Sequence, residues 1–168
     1  MNRALFLDRD GVVNEDYGYV HKVNDFHLRD GIIDICLAAQ RKAFKIIVVT
    51  NQAGIGRGYY THAEFYHLSL YMTEEMLRRG VRVDDIFYCP FHECYGVGQY
   101  KRYSIDRKPN AGMIIKACNK HCINPFMSIM IGDKGSDQLA AHSVGIRMYV
   151  DATKANWVAT SLQSIKSS

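Results

Sequence analysis

No stretch of this sequence is long and apolar enough to span a membrane. None has the concentrated basic stripe of a nucleic-acid binder: the formal net charge is only +4 over 168 residues. A charge that mild favours an anionic small molecule over a polyanion or a lipid surface. Five cysteines are present, at 36, 89, 94, 118 and 122. An odd number without the spacing of a disulfide framework implies reduced thiols and a cytoplasmic setting. Met1-Asn2-Arg3 leads at once into an apolar run that stops at Asp8, too short for a signal-peptide core. Internal repeats, linkers and low-complexity tracts are also missing. What remains is the expectation of one soluble, monomeric domain covering residues 1–168.

Strand-like and helix-like segments alternate. Ala4–Leu7 is apolar and ends at Asp8, and Ile46–Val49 is β-branched throughout and ends at Thr50. Asp85–Tyr88, Ser128–Ile131 and Ile146–Val150 complete a set of five predicted strands. Between them, helices are predicted over Gly31–Lys42, Thr61–Arg79, Asn110–Cys122 and Asp137–Val144. Thr61 and Glu64 have capping-box spacing, and Gly80 supplies the stop. The residues from about Asp151 onward fit either a last helix or a loose tail. Cys118 and Cys122, one helical turn apart, are expected to pack in the core, and His62 and His67 to be surface or packing residues. Such alternation predicts an α/β fold: a doubly wound, mostly parallel sheet of five to six strands with helices on both faces. Three irregular stretches, Gly11–Asp30, Asn51–Tyr60 and Cys89–Lys108, follow strands. They should lie at the sheet edge where doubly wound folds bind ligands.

Four motifs carry chemistry. Asp8-Arg9-Asp10-Gly11 places two carboxylates where a strand ends; one can attack phosphorus while the other exchanges protons with the leaving oxygen and water. A calcium loop would need an acidic or amide residue at Val12 and a Glu at Tyr19. Thr50-Asn51-Gln52 offers a hydroxyl and backbone amides for phosphoryl oxygens. Arg107-Lys108-Pro109 offers Lys108 to neutralise a phosphate and Arg107 as a fork for a second phosphate or sugar hydroxyls. Gly132-Asp133-Lys134 places a further acid after a strand. Asp8, the Asp10 carbonyl and Asp133 would form a hard oxygen site for Mg2+. Asp137 would either support that site or favour the start of its helix. Acid pair, Thr, Lys and acid thus each stand at the end of an element of one sheet, which predicts a phosphatase. The glycines of Gly54-Ile55-Gly56-Arg57-Gly58 lack dinucleotide-binding spacing and predict a flexible loop.

These motifs resemble those of the haloacid dehalogenase (HAD) superfamily. Phe6–Gly11, Gly18-Tyr19-Val20, Val49–Gly58, Tyr88-Cys89-Pro90, Arg107-Lys108-Pro109 and Gly112-Met113 are similar to the heptose-bisphosphate and histidinol-phosphate phosphatases within it. The resemblance implies a HAD-like Rossmannoid core without a large cap domain, and Mg2+ as cofactor. It implies Asp8 as nucleophile, Asp10 as general acid/base, and Thr50 and Lys108 as phosphoryl stabilisers. The substrate would be a small phosphosugar, the 7-phosphate of a heptose bisphosphate, with Asp16, Tyr17, Gly18, Tyr19, Asn51, Gln52, Ala53, Arg107 and Lys134 at its pocket. The family commonly carries a structural zinc on Cys-x-His and Cys-x-Cys. Here Cys89 is kept, but Phe91, Ser104 and Asp106 replace the other ligands. A remodelled zinc site could be built from Cys89, His92, Cys94 and Asp106, although an unmetallated loop packed by tyrosines is the preferred reading. Rival functions are a histidinol-phosphate or other small-ester phosphatase, a DNA 3′-phosphatase, and a non-catalytic phosphosugar-binding protein. The lack of a basic patch counts against the DNA enzyme, and the intact acid pair against mere binding.

Overall fold

Alternation of buried side chains on both faces of a central strand sets the architecture. In the computed structural model, which describes residues 1–168, that strand is β1 (Arg3–Leu7). The others are β2 (Phe44–Asn51), β3 (Asp85–Cys89), β4 (Ile129–Gly132) and β5 (Met148–Asp151). All pair in parallel in the order β3-β2-β1-β4-β5. Leu5 stands opposite Ile46 on one side and Ile129 on the other. Successive side chains point to opposite faces. Leu5 and Leu7 therefore enter one core with residues of α1 (Ile32–Arg41), α3 (His62–Arg78) and α6 (Trp157–Lys166). Ala4 and Phe6 enter a second core with α4 (Gly112–His121) and α5 (Gly135–Ser143). The protein is an α/β doubly wound fold of five parallel strands, and none of its helices is long and apolar enough to cross a membrane.

Local chemistry sets the helix ends. Glu64 N–H donates to Thr61 Oγ1 and Thr61 N–H donates back to Glu64 Oε2, closing the expected capping box. Downstream, Gly80 takes φ +85° and stops the helix. The C-terminal residues form α6 rather than a loose tail, because Trp157 is only 6% exposed and anchors them to the first core. Two local expectations are corrected. Residues Ala53–Gly56 form a one-turn helix, α2, not a loop; its buried glycines let Tyr60 and the Pro90 carbonyl approach. Cys122 is no core residue: it caps α4 at φ 52° and is exposed.

The topology also creates a crevice. From β1 the chain steps outward to β2 and β3, then crosses back to β4 on the opposite flank of β1. At this switch point the loops leaving β1 and β4 diverge, which opens space beyond their carboxyl ends.

Candidate active site

The turn after β1 is built around one carbonyl. Arg9 C=O accepts N–H bonds from Val12, Val13 and Asn14 at 3.3, 2.8 and 3.1 Å. Gly11 takes φ +82°, and a Cβ there would stand 2.5 Å from Asp133 Oδ2. Only glycine lets the turn pass so close to that acid. Asp8 N–H continues the β1–β4 pairing by donating to Ile131 C=O at 3.0 Å. Asp8 and Asp133 are thereby brought side by side. Asp8, Asp133 and Asp137 can place carboxylate oxygens within 4.8 Å of one another.

Lys108 sits among oxygens. Its Nζ is 2.8 Å from Asp8 Oδ1, 2.6 Å from Asp137 Oδ1 and 2.7 Å from Val49 C=O, and the side chain is almost wholly buried. Burial alone would lower the lysine pKa, but the carboxylates of Asp8 and Asp137 outweigh it and raise it. Asn51 aims this lysine: its amide donates to Lys108 C=O and accepts Lys108 N–H, each at 3.0 Å. Of the roles weighed for Asp137, the contact at the start of its helix is present, and a partner not expected, Lys108, is added. Its Oδ2 accepts Lys134 N–H at 3.0 Å at the start of α5, while its Oδ1 faces Lys108. Burial, then the Asp8 charge, pushes the Asp133 carboxyl up to about 6, with Lys134 acting against them. The same two causes raise Asp137.

Asp10 is held by Gln52 and by two residues with no expected role, Arg9 and Asn14. Its Oδ1 accepts from Arg9 Nε at 3.0 Å, Arg9 Nη2 at 2.6 Å and Asn14 Nδ2 at 3.1 Å. Its Oδ2 accepts from Gln52 Nε2 at 3.1 Å. Arg9 is 1% exposed and also donates to Val20 C=O at 2.6 Å. The sequence signal available for this clamp was an arginine set between the two acids, Asp8-Arg9-Asp10.

Asp10 lines a cavity of about 610 Å³ among mostly polar and charged residues. Asp16, Gly18, Tyr19, Asn51, Gln52, Ala53, Arg107, Lys108 and Lys134 line it too. Lys134 Nζ reaches 3.5 Å from Asp16 Oδ2 and 3.6 Å from Asp133 Oδ2, so it bridges the loop and the acid cluster. Two expected pocket residues are placed elsewhere. Thr50 is buried beneath the wall, where its Oγ1 accepts from Gln52 Nε2 at 2.8 Å. Tyr17 is exposed and packs its ring against the edge of His27. His92, Glu93, Tyr60 and Ser136 line the cavity without having been foreseen.

The residues considered for a remodelled zinc site do not gather their ligand atoms as Asp8, Asp133 and Asp137 do. Buried Cys89 has the Phe91 carbonyl 4.0 Å from its Sγ. His92 Nδ1 accepts the N–H groups of Cys94 and Tyr95, both at 3.2 Å, and Cys94 is exposed. Asp106 pairs with Lys116. Instead, His62 bonds the hydroxyls of Tyr88 and Tyr100, both at 2.9 Å, which ties the Cys89–Lys108 loop to α3.

A HAD-hydrolase-like family model matches residues 105–156, the stretch carrying Lys108, Asp133 and Asp137. A D-glycero-alpha-D-manno-heptose-1,7-bisphosphate 7-phosphatase from Burkholderia mallei is 46% identical over 86% of this chain and 77% of its own. The chain belongs to the HAD-like heptose-bisphosphate phosphatase family. A HAD-like protein from Mesorhizobium loti superposes at TM-score 0.88 with 30% identity, covering 99% of this chain and 87% of that one. A D,D-heptose 1,7-bisphosphate phosphatase from B. bronchiseptica, complexed with magnesium and phosphate, shares the fold at TM-score 0.82 and 21% identity, covering 99% of both chains. Members of this family are phosphoric monoester hydrolases, and this chain is a hydrolase of that class.

Proposed function

We propose that this protein removes the 7-phosphate of D-glycero-D-manno-heptose 1,7-bisphosphate through a phospho-Asp8 intermediate, with Mg2+ as cofactor. The observation that carries this reading is the buried Lys108 ammonium, 2.8 Å from Asp8, beside a cavity that Asp10 also lines. An aspartate paired to a buried cation and set next to a second, separately clamped carboxylate suits phosphoryl transfer better than passive binding.

The residues present fit the metal. Asp133 Oδ1 is buried without a hydrogen-bond partner, and the Asp10 carbonyl takes none of the bonds that tie its turn. With Asp8 they make a set of hard oxygen donors suited to Mg2+. When bound there, Mg2+ neutralises phosphoryl charge. Asp8 attacks phosphorus, and Lys108 offsets the repulsion between its carboxylate and the phosphate. Asp10 gives its proton to the departing sugar oxygen. It then takes a proton from the water that attacks phospho-Asp8 and frees phosphate. Thr50 Oγ1, beneath the wall, accepts from Gln52 and so braces the amide that faces Asp10.

Arg107 is the cation for the second phosphate, and Asp16–Tyr19, Asn51–Ala53 and Lys134 position the sugar. The relatives' names and the cations Arg107, Lys108 and Lys134 at the cavity support the heptose bisphosphate as substrate. We place the enzyme in the cytoplasm as a monomer whose single domain, 1–168, works without a large cap. The test is a Mg2+-dependent phosphate-release assay comparing heptose bisphosphate with histidinol phosphate and other sugar phosphates. The bisphosphate should give the highest kcat/KM, and Asp8→Asn should abolish turnover. Preference for histidinol phosphate would overturn the substrate, and an active Asp8→Asn enzyme would overturn the covalent route.

A further inference from the structure

The two carboxylate oxygens of Asp10 are held unequally by their neighbours. Oδ1 already accepts three N–H groups, from Arg9 and Asn14, which leaves no room there for a proton. Oδ2 accepts only from Gln52. The Gln52 amide nitrogen has two hydrogens; one goes to Asp10 Oδ2 and one to Thr50 Oγ1 at 2.8 Å. Its carbonyl oxygen accepts the Tyr60 hydroxyl. That bond decides which way the amide faces, because a flipped amide would turn its oxygen toward Asp10 and Thr50.

Tyr60 is itself held for this task. The ring is 5% exposed, and the His21 ring stacks on it at 4.9 Å and 7°. A Cβ on Gly54 would lie 2.2 Å from Tyr60 Cε1, so glycine at 54 is what admits the ring. Burial raises the hydroxyl pKa, which keeps it a donor. From these contacts we infer that Tyr60 is a positioning residue: through Gln52 it aims Oδ2 of Asp10 at the oxygen of the leaving group. The inference rests on the phosphatase reading above. The proton on Oδ2 passes to the ester oxygen as the P–O bond breaks and the bond from Asp8 to phosphorus forms, leaving Asp10 as the carboxylate that later receives a proton from water.

Only a poor leaving group needs that proton. A sugar alkoxide does, whereas p-nitrophenolate leaves without it. The experiment is single-turnover cleavage, enzyme in excess with Mg2+, of a sugar phosphate and of p-nitrophenyl phosphate by wild type and Tyr60→Phe. Tyr60→Phe should slow cleavage of the sugar ester about tenfold and leave the aryl ester within about twofold of wild type, with KM for the sugar phosphate unchanged. If Tyr60→Phe is poorly folded, His21→Ala, which removes the ring stacked on Tyr60, should show the same selectivity. Equal slowing on both esters, no slowing on the sugar ester, or an effect confined to KM would each overturn the inference. A wild type inactive on both esters would instead remove the phosphatase reading, and this inference with it.

Discussion

At the scale of single residues, the site is governed by how few charges balance how many. Lys108 is the only cation within reach of both Asp8 and Asp137. Replacing it by methionine leaves two buried carboxylates facing each other, which should cost about 3–5 kcal/mol as well as turnover. Urea unfolding at pH 8 and pH 5 checks this, with the smaller loss at pH 5, where a carboxylate can protonate. Asp133 gives a second prediction. Its folded pKa of about 6 lies above the ordinary 3.8. The metal-free fold therefore holds this proton more tightly than the unfolded chain. The stabilisation is present below pH 3.8 and lost as pH rises through about 6. Mg2+ needs the ionised form, so the rise in Tm on adding Mg2+ should be large at pH 7.5 and small at pH 5. Asp133→Asn should abolish the rise at both.

At the scale of elements, the turn after β1 and helix α6 are mechanically linked. The Arg29 guanidinium donates to Gly11 C=O and, at 3.1 Å, to Ala152 C=O. It also lies 4.7 Å from the centre of the Trp157 ring. Trp157→Ala should destabilise the fold by about 3–5 kcal/mol, measured by chemical denaturation, because it unseats α6 from the core. Gly11→Ala acts differently. It forces a side chain into a left-handed conformation and against Asp133, so strain of about 1–3 kcal/mol should accompany loss of Mg2+ binding in a titration. The capping box of α3 and the stop at Gly80 were legible because their signals are confined to a few adjacent residues. The α2 turn was not, since its glycines answer to Tyr60 and Pro90, which only the folded chain brings near.

At the scale of the whole molecule, five parallel strands gather three loops over one crevice, and those loops must supply selectivity. Arg107 lines the cavity and anchors to Phe91 C=O at 3.3 Å. Arg107→Ala should therefore raise KM for a bisphosphate sugar by about tenfold, as the loss of one charge-assisted hydrogen bond implies, with little change for a monophosphate sugar. Parallel KM measurements decide it. The Cys89–Lys108 loop that carries Arg107 is joined to α3 through His62, Tyr88 and Tyr100. Of the three tyrosines expected to pack this loop, Tyr100 is bonded into that contact, whereas Tyr95 and Tyr103 are exposed.

Much of this protein was determined by the order of its residues alone. Apolar runs ending in Asp8, Thr50 and Asp133 specify buried parallel strands whose ends bear chemistry, because strand burial and strand termination are local properties of the chain. The clamp on Asp10 is another matter. Gln52 stands 42 residues from Asp10, and Lys108 stands 59 from Val49. Whether an amide turns its nitrogen or its oxygen toward a carboxylate, and whether an arginine is solvated or buried, depends on what packs around it. Hydrogen-bond direction and burial arise only when distant segments meet. The tertiary structure alone therefore decided which oxygen of Asp10 carries fewer hydrogen bonds and which cation Asp8 faces.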